Sequence, residues 1–491
     1  MKIGQTSLIV FLAKLFGSIL GFISTVYFAR ILGAELLGVY AVVIAVVGWL
    51  GTFGRIGINS GIKKRISEGT DQEQYFVSGT LLIVFTFTLL VVLIFLFRGR
   101  IEGYIGEFEE YSSISVVFFI IVILGADLLA IPIKTTLRGL RLVHIAGVLN
   151  PVKISLQSII QIGLVFVGFG LTGMLIGYAA GIVIATLIGL PFISLSLKRP
   201  QRKHFKSILA YAKYAWISGL RSRTFNDVDI VVLGAFASNA LVGIYSVAWT
   251  LSTFLSLFSN AISEVMFPEI SYKSAQNSTE GVTCLIEDMF AYAGFVTIPG
   301  LAGGILLDDR LLRIYSDEFV QGTEVFWLLL LSVLLYSFLG QQLNALNALD
   351  RPDLALRANV LLIVSNAFLN IVLIWKIGWI GAAIASATSV LLTNITSYLL
   401  LTRLVTVHFP VGEIVRQVVA AIIMGALVGF LRLTIESTEI LQHNFAIVLG
   451  LVSIGASVYV LVLLAISSRF RETVDRNLPV NIPFTDKFDT K

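Results

Sequence analysis

The chain has one cysteine in 491 residues, Cys284. An internal disulfide and a cysteine metal cluster are both excluded. The four histidines, His144, His204, His408 and His443, lie far apart in loops and show no metal-ligand spacing. No Gly-Lys dipeptide occurs, so the phosphate-cradling loop that needs one is absent. That excludes transport powered by ATP hydrolysis on this chain, and no metal or cofactor is expected. Charge is scarce as well, at 13% of residues against roughly 25% in a soluble domain.

What is present is apolar. Hydrophobic residues make up 57% of the chain. Runs of about 20 residues, enough to cross roughly 30 Å of hydrocarbon, recur from end to end. We count about fourteen, the first near 6–29 and the last near 444–466. They do not alternate apolar with polar, as barrel strands would. The first run carries Lys14, is too long for a signal-peptide core, and has no small-x-small cleavage site after it, so it reads as a retained helix. The pattern predicts an all-α integral membrane protein.

The net charge of +5 follows from topology. With the N-terminus inside, Lys63, Lys64, Arg65, Lys134, Arg138, Arg141 and the stretch Lys198 to Lys206 fall on the cytoplasmic side. Arg30, Arg98, Arg100, Arg310, Arg313, Lys376 and Arg432 fall outside. The basic excess inside is roughly threefold, which predicts cytoplasmic termini, an even number of spans and residence in the cell (plasma) membrane. It also attracts anionic lipid headgroups. No soluble basic-aromatic surface is present for nucleic acid. Asn277-Ser278-Thr279 fits a glycosylation acceptor but lies in a loop placed inside, so it is expected to be unmodified.

The chain repeats itself. Leu37-Gly38-Val39-Tyr40-Ala41-Val42 returns as Val242-Gly243-Ile244-Tyr245-Ser246-Val247. Gly170-Leu171-Thr172-Gly173-Met174 returns as Gly378-Trp379-Ile380-Gly381-Ala382, at nearly the same offset. Six spans per copy is an even number, so the copies insert in parallel. We place an N-terminal lobe at 1–205 and a C-terminal lobe at 206–409, with the boundary in the most basic loop. Two further spans occupy 410–466. A polar cytoplasmic tail, 467–491, carries Pro479 and Pro483 and is expected to be a mobile end. Paired membrane bundles of this kind commonly hold a transported substrate between them.

Charges within spans cost several kcal/mol and mark functional candidates. Lys14 lies about 12 Å into the first span; it either snorkels to the surface or lines a cavity. Arg55 either anchors the inner end of the second span or faces the cavity. The seventh span holds Arg221, Arg223, Asn226, Asp227 and Asp229. Arg223 and Asp227 are spaced to pair on one face. Asp229 is expected on the face of Ser222 and Asn226. Lys14, Arg55, Arg221 and Arg223 are the candidate cationic substrate site, since arginine binds phosphate through its fork. Asp227, Asp229, Asp127 and Glu264 are candidates either for structural pairing or for coupling to H+ or Na+. The amides Gln157, Gln161, Gln341, Gln342, Asn344, Asn366 and Asn370 either bond between helices or line a sugar path.

Several motifs resemble a known family. Phe28-Ala29-Arg30-Ile31-Leu32-Gly33-Ala34-Glu35, followed by Gly38-Val39-Tyr40, is similar to the first-helix signature of oligosaccharide-lipid and polysaccharide flippases of the O-antigen type. These belong to the multidrug/oligosaccharidyl-lipid/polysaccharide exporter superfamily. Asp229 to Gly234, running into Val242 to Ala248, resembles that family's second-lobe signature. Leu137-Arg138-Gly139-Leu140-Arg141 and Asn347-Ala348-Leu349-Asp350-Arg351 resemble its fourth and tenth spans, and Lys2 to Ser7 resembles archaeal members. The resemblance implies a V-shaped pair of six-helix lobes. It also implies a lipid-linked oligosaccharide, on polyprenyl or dolichyl phosphate or pyrophosphate, moved by alternating access without a partner subunit. The chain would then not be an enzyme. A cation-coupled multidrug or small-molecule antiporter of the same superfamily is the alternative; it would carry twelve spans and acidic cavity residues. A membrane glycosyltransferase is a further alternative, because Asp227-Val228-Asp229 matches a D-x-D pair, but that pair lies within a span and no soluble domain accompanies it.

Overall fold

A computed structural model describes residues 3–106, 108–276, 278–438 and 443–477. Asn277, and with it the glycosylation expectation, lies outside the described residues, as do Pro479 and Pro483. Every regular element among the described residues is a helix. In chain order these are α1 (Ile3–Arg55), α2 (Ile58–Ser67), α3 (Gln72–Leu96), α4 (Arg98–Ile105), α5 (Phe108–Tyr111), α6 (Val116–Gly139), α7 (Val143–Phe166), α8 (Gly170–Gly189) and α9 (Arg202–Phe236). They continue as α10 (Asn239–Thr253), α11 (Ser256–Ala275), α12 (Thr279–Leu306), α13 (Asp308–Arg313), α14 (Thr323–Ala348), α15 (Pro352–Ile377), α16 (Ile380–Thr402), α17 (Val411–Thr438), α18 (Asn444–Ile466) and α19 (Ser468–Asn477).

Among the described residues, eleven helices are long and apolar enough to span a membrane, or twelve if α10 and α11, bent by 45° to each other, form one span. α1 runs for 53 residues. At 1.5 Å per residue that is about 80 Å, more than twice the hydrocarbon thickness. Gly33 breaks it, with φ 76° and ψ 178°, a conformation that costs a residue with a Cβ dearly.

The chain forms two compact units. The first holds 1–247 and 363–385, and the second 248–362 and 386–491. These units do not coincide with the expected boundary at 205, because α9, the start of α10 and parts of α15 and α16 are grouped with the helices before them. In the second unit α12, α17 and α18 share a core of Ala420, Met424, Val428, Ile447, Leu451, Tyr459 and Leu463. The tail is not mobile from its start. α19 docks through Arg469 on Asp288 and Phe470 stacked on Phe295 at 4.9 Å. The Ser467 hydroxyl donates to the buried Glu413 carboxylate at 2.7 Å and accepts from the Phe470 N–H.

In the first unit the basic loop after α8 is strapped to the start of α3. Lys198 and the Ser196 hydroxyl both reach Glu73. Lys203 pairs with Asp71 at 2.9 Å. The buried His204 ring contacts the same carboxylate at 3.1 Å and stands edge-on to Tyr75. Lys203, and after it His204, hold the Asp71 carboxyl below its usual range. A depressed carboxylate contributes its stability above its unfolded pKa and loses it as pH falls through the lowered value. Asp71 in turn raises the Lys203 ammonium, whose contribution is lost only as pH rises through the raised value. The strap therefore holds across neutral pH. In the double variant Asp71→Asn, Glu73→Gln, tryptic cleavage after Lys198 at pH 7.5 should speed up at least severalfold; an unchanged rate would show that these pairs do not hold the loop.

Candidate functional site

Polar groups in the apolar interior of the first unit gather around α1, α6, α7, α8 and α9. Arg55 donates from Nη2 to Asp127 Oδ2 at 3.0 Å, and from Nε to the Gly51 carbonyl. This ion pair joins α1 to α6. A Cβ at Gly51 would sit 3.3 Å from the arginine and 3.4 Å from the carboxylate, so glycine leaves the room the pair occupies. Arg223 pairs with Asp227 along α9, as their spacing predicts. Gly48 of α1 underlies that arginine, and a side chain there would collide with it.

Two lysines join this group. Lys134 of α6 lies within electrostatic reach of Lys153, Asp127, Arg55 and Arg138. Lys153 of α7 stands 5.9 Å from the Tyr178 ring centre. Tyr178 in turn feels Asp127, Arg223, Asp227 and Arg55. Its ring meets Tyr40 edge-on at 6.3 Å, and Gln161 donates to the Tyr40 hydroxyl at 3.0 Å and to the Met174 carbonyl at 2.7 Å. Arg55, Lys134 and Lys153 thus share one neighbourhood with the single carboxylate Asp127. Sequence reasoning passed over both lysines. Lys134 fell just beyond an estimated span end, and Lys153 sat inside a span with no charged neighbour in sequence to draw attention to it.

Asp229 differs in burial from the residues expected on its face. It is buried, whereas Ser222 and Asn226 are exposed. Its carboxylate accepts from the Tyr245 hydroxyl of α10 and from the Asn370 amide of α15 at 2.8 Å. The three share an angular position on α9, but Asp229 lies seven residues further along, about 10 Å, where α10 and α15 cover the helix. Arg221 is half-buried. Lys14 and Glu264 are exposed and stand outside the ion pairs described. Arg55 is held by Asp127, which ties the end of α1 to α6.

In the second unit the polar interior is mostly uncharged. Gln341 donates to Ser259, and Asn344 to the Ser263 carbonyl at 2.9 Å, joining α14 to α11. Gln342 donates to Asn394 of α16 at 3.2 Å and accepts from Ser397. These amides bond between helices, the commoner of their two expected roles.

A model of the family "Polysaccharide biosynthesis protein" matches residues 3–273. The chain belongs to this family. Over 98% of its length it is 29% identical to all of the "Probable low-salt glycan biosynthesis flippase Agl15" of Haloferax volcanii. It is 30% identical over 97% of its length to 98% of the "Probable flippase AglR" of the same organism. Among solved structures, lipid II flippase MurJ in an inward closed conformation aligns with TM-score 0.74 at 19% identity, covering 95% of this chain and all of that one. That likeness establishes the fold, and the family places this multi-pass membrane protein among polysaccharide biosynthesis proteins.

A half-buried charge that loses its partner is left uncompensated, whereas removing both charges leaves none. Arg55→Ala and Asp127→Ala should each lower the melting temperature in detergent. The double variant should be more stable than the sum of the two predicts, by about 0.5–3 kcal/mol. Simple additivity would show that the two side chains do not interact.

Proposed function

We propose that the chain is a flippase that carries a lipid-linked oligosaccharide from the cytoplasmic to the outer leaflet by alternating access. The observation that carries this reading most directly is the group Arg55, Lys134 and Lys153 around Asp127, inside a largely apolar bundle. A glycan on a phosphate-bearing polyprenyl lipid has an anionic head that cannot cross hydrocarbon unaided. Excess positive charge within the membrane suits that head, and would repel the drug cations of the alternative antiporter. End-to-end similarity to two glycan flippases of an archaeon supports the same reading. It also argues against a glycosyltransferase.

The finer architecture belongs to this proposal. Counting α10 with α11, dividing α1 at Gly33 and adding the charged α9 brings the spans to fourteen. They form two parallel six-helix lobes, 1–205 and 206–409, with two extra spans and both termini cytoplasmic in the cell membrane. The protein works as a monomer. Lys14, Arg55, Arg221 and Arg223 bind the phosphate head, with Lys134 and Lys153 added to the set. Asp229 is favoured over Asp227, Asp127 and Glu264 as an ion-coupling carboxylate. Asp227 and Asp127 are already engaged by arginines and Glu264 is exposed, whereas Asp229 is buried and accepts from the neutral groups of Tyr245 and Asn370.

Loss of the protein should leave cytoplasmic assembly of the glycan-lipid intact and block its appearance outside. If sugar addition itself stops, the transport reading fails. In complementation at matched protein levels, Arg221→Ala and Arg221→Gln should abolish flipping, Arg221→Lys should keep part of it, and Lys14→Arg should outperform Lys14→Ala. Asp227→Asn should lower stability before turnover. Full activity of both Arg221→Ala and Lys14→Ala would remove those two residues from the phosphate site. Asp229→Asn keeps the shape and should preserve folding while abolishing any dependence of flipping on an H+ or Na+ gradient. Asp229→Ala, which strands two buried donors, should cost about 1–3 kcal/mol for each. Unaltered gradient dependence in Asp229→Asn would exclude it as the coupling group.

A further inference from the structure

The repeated hexapeptide places one glycine in α1 and its counterpart in α10, and the fold brings these two glycines together. A Cβ on Gly38 would overlap the Asn239 carbonyl oxygen and stand 3.0 Å from the Gly243 nitrogen. A Cβ on Gly243 would overlap the Ala34 carbonyl oxygen and stand 3.0 Å from the Gly38 nitrogen. The relation is reciprocal: the turn Asn239–Gly243 rests on Gly38, and the turn Ala34–Gly38 rests on Gly243. Gly38, Ala34, Val242 and Gly243 are all buried. Backbone lies on backbone, so nothing passes between α1 and α10 at this level. Any residue other than glycine would force the helices apart by about 1.5–2 Å to restore ordinary contact distances.

Two features distinguish this crossing from ordinary packing. First, it is made by equivalent positions of the two copies of the repeat, the parts that move against each other in a rocking transporter. Second, the faces that meet are peptide groups rather than interdigitated side chains. Such Cα–H···O contacts are individually weak. When they part, they expose carbonyls that water can satisfy, with only the small apolar side chains of Ala34 and Val242 beside them. The crossing lies five residues beyond the break at Gly33 and in the first turns of α10. In the proposed topology that is the extracellular end of both helices.

We propose that Gly38 and Gly243 form the outer gate of this transporter, a two-fold backbone seal that closes the extracellular side and parts when the substrate is released there. The proposal rests on the alternating-access reading of the function. Its test uses the full-length protein with Cys284→Ser and a single reporter, Asn226→Cys. Asn226 is exposed within α9, ten residues below its outer end, or about 15 Å. In intact cells a membrane-impermeant maleimide should label this reporter slowly. Gly38→Ala or Gly243→Ala should raise the labelling rate at least severalfold and cut flipping by at least tenfold at matched membrane levels. The double variant should match the stronger single, because one contact is lost only once. Unchanged labelling in both single variants, or effects that add as two independent sites would, would overturn the gate. If the parent fails to flip any glycan-lipid, the functional reading fails while the labelling still reports on the gate. Should the alanine variants not accumulate, the glycines can be kept. A reducible cross-linker of about 10 Å between Glu35→Cys and Ala240→Cys should stop flipping until it is reduced. Undiminished flipping in the cross-linked protein would also overturn the proposal.

Discussion

A charge placed in hydrocarbon costs several kcal/mol unless a partner or water meets it, and the interior of the first unit is arranged around that cost. Arg55 meets Asp127, Arg223 meets Asp227, and the Asp229 carboxylate meets a hydroxyl and an amide. Each of these contacts also fixes a packing relation. The Arg55 pair ties α1 to α6, and Asp229 ties α9 to α10 and α15. Gly48 and Gly51 of α1 follow from the same requirement, because a methyl group at either would intrude on an arginine or its carboxylate. Apolar side chains fill the remaining volume, but in lipid they supply little direction, since hydrocarbon tails are as apolar as they are.

The second unit solves the same problem without ion pairs at its centre. Gln341, Gln342, Asn344 and Asn394 bond to hydroxyls, carbonyls and one another across helices. An amide carries both donor and acceptor, so a chain of amides can close on itself at lower desolvation cost than a salt bridge. The two units thus hold different polar chemistry. Under the flippase reading the division is apt: cations suit a phosphate, and amides and hydroxyls suit sugars.

The helical class and most spans could be read from the sequence because length and apolarity alone decide whether a segment crosses a bilayer. The same criterion fails where function intrudes. α9 carries too many charges to meet it, although the sequence predicts a span near 208–236. Among side chains, Arg223 and Asp227 were legible because helical spacing brings them together without help from the rest of the fold. Arg55 and Asp127 lie 72 positions apart, and no local rule joins them. Asp229 shares the angular position of Ser222 and Asn226, but angular position on a helix does not say what covers that face at a given depth. Lys134 was lost to a span boundary misjudged by a few residues. Lys153 was lost because an isolated lysine among apolar residues gives no sign of the charges on neighbouring helices. The duplicated glycine was visible as a repeat, but only coordinates show that the two copies touch.

These contacts differ in strength in a way that suits movement. Pulling Arg55 from Asp127 would leave two part-buried charges uncompensated, so α1 and α6 are expected to travel together. Parting Gly38 from Gly243 strands no charge and uncovers no large apolar face. The apolar side chains could not have created that difference, since any of them would pack about as well against lipid. It arises from where the sequence places a few charges and two glycines.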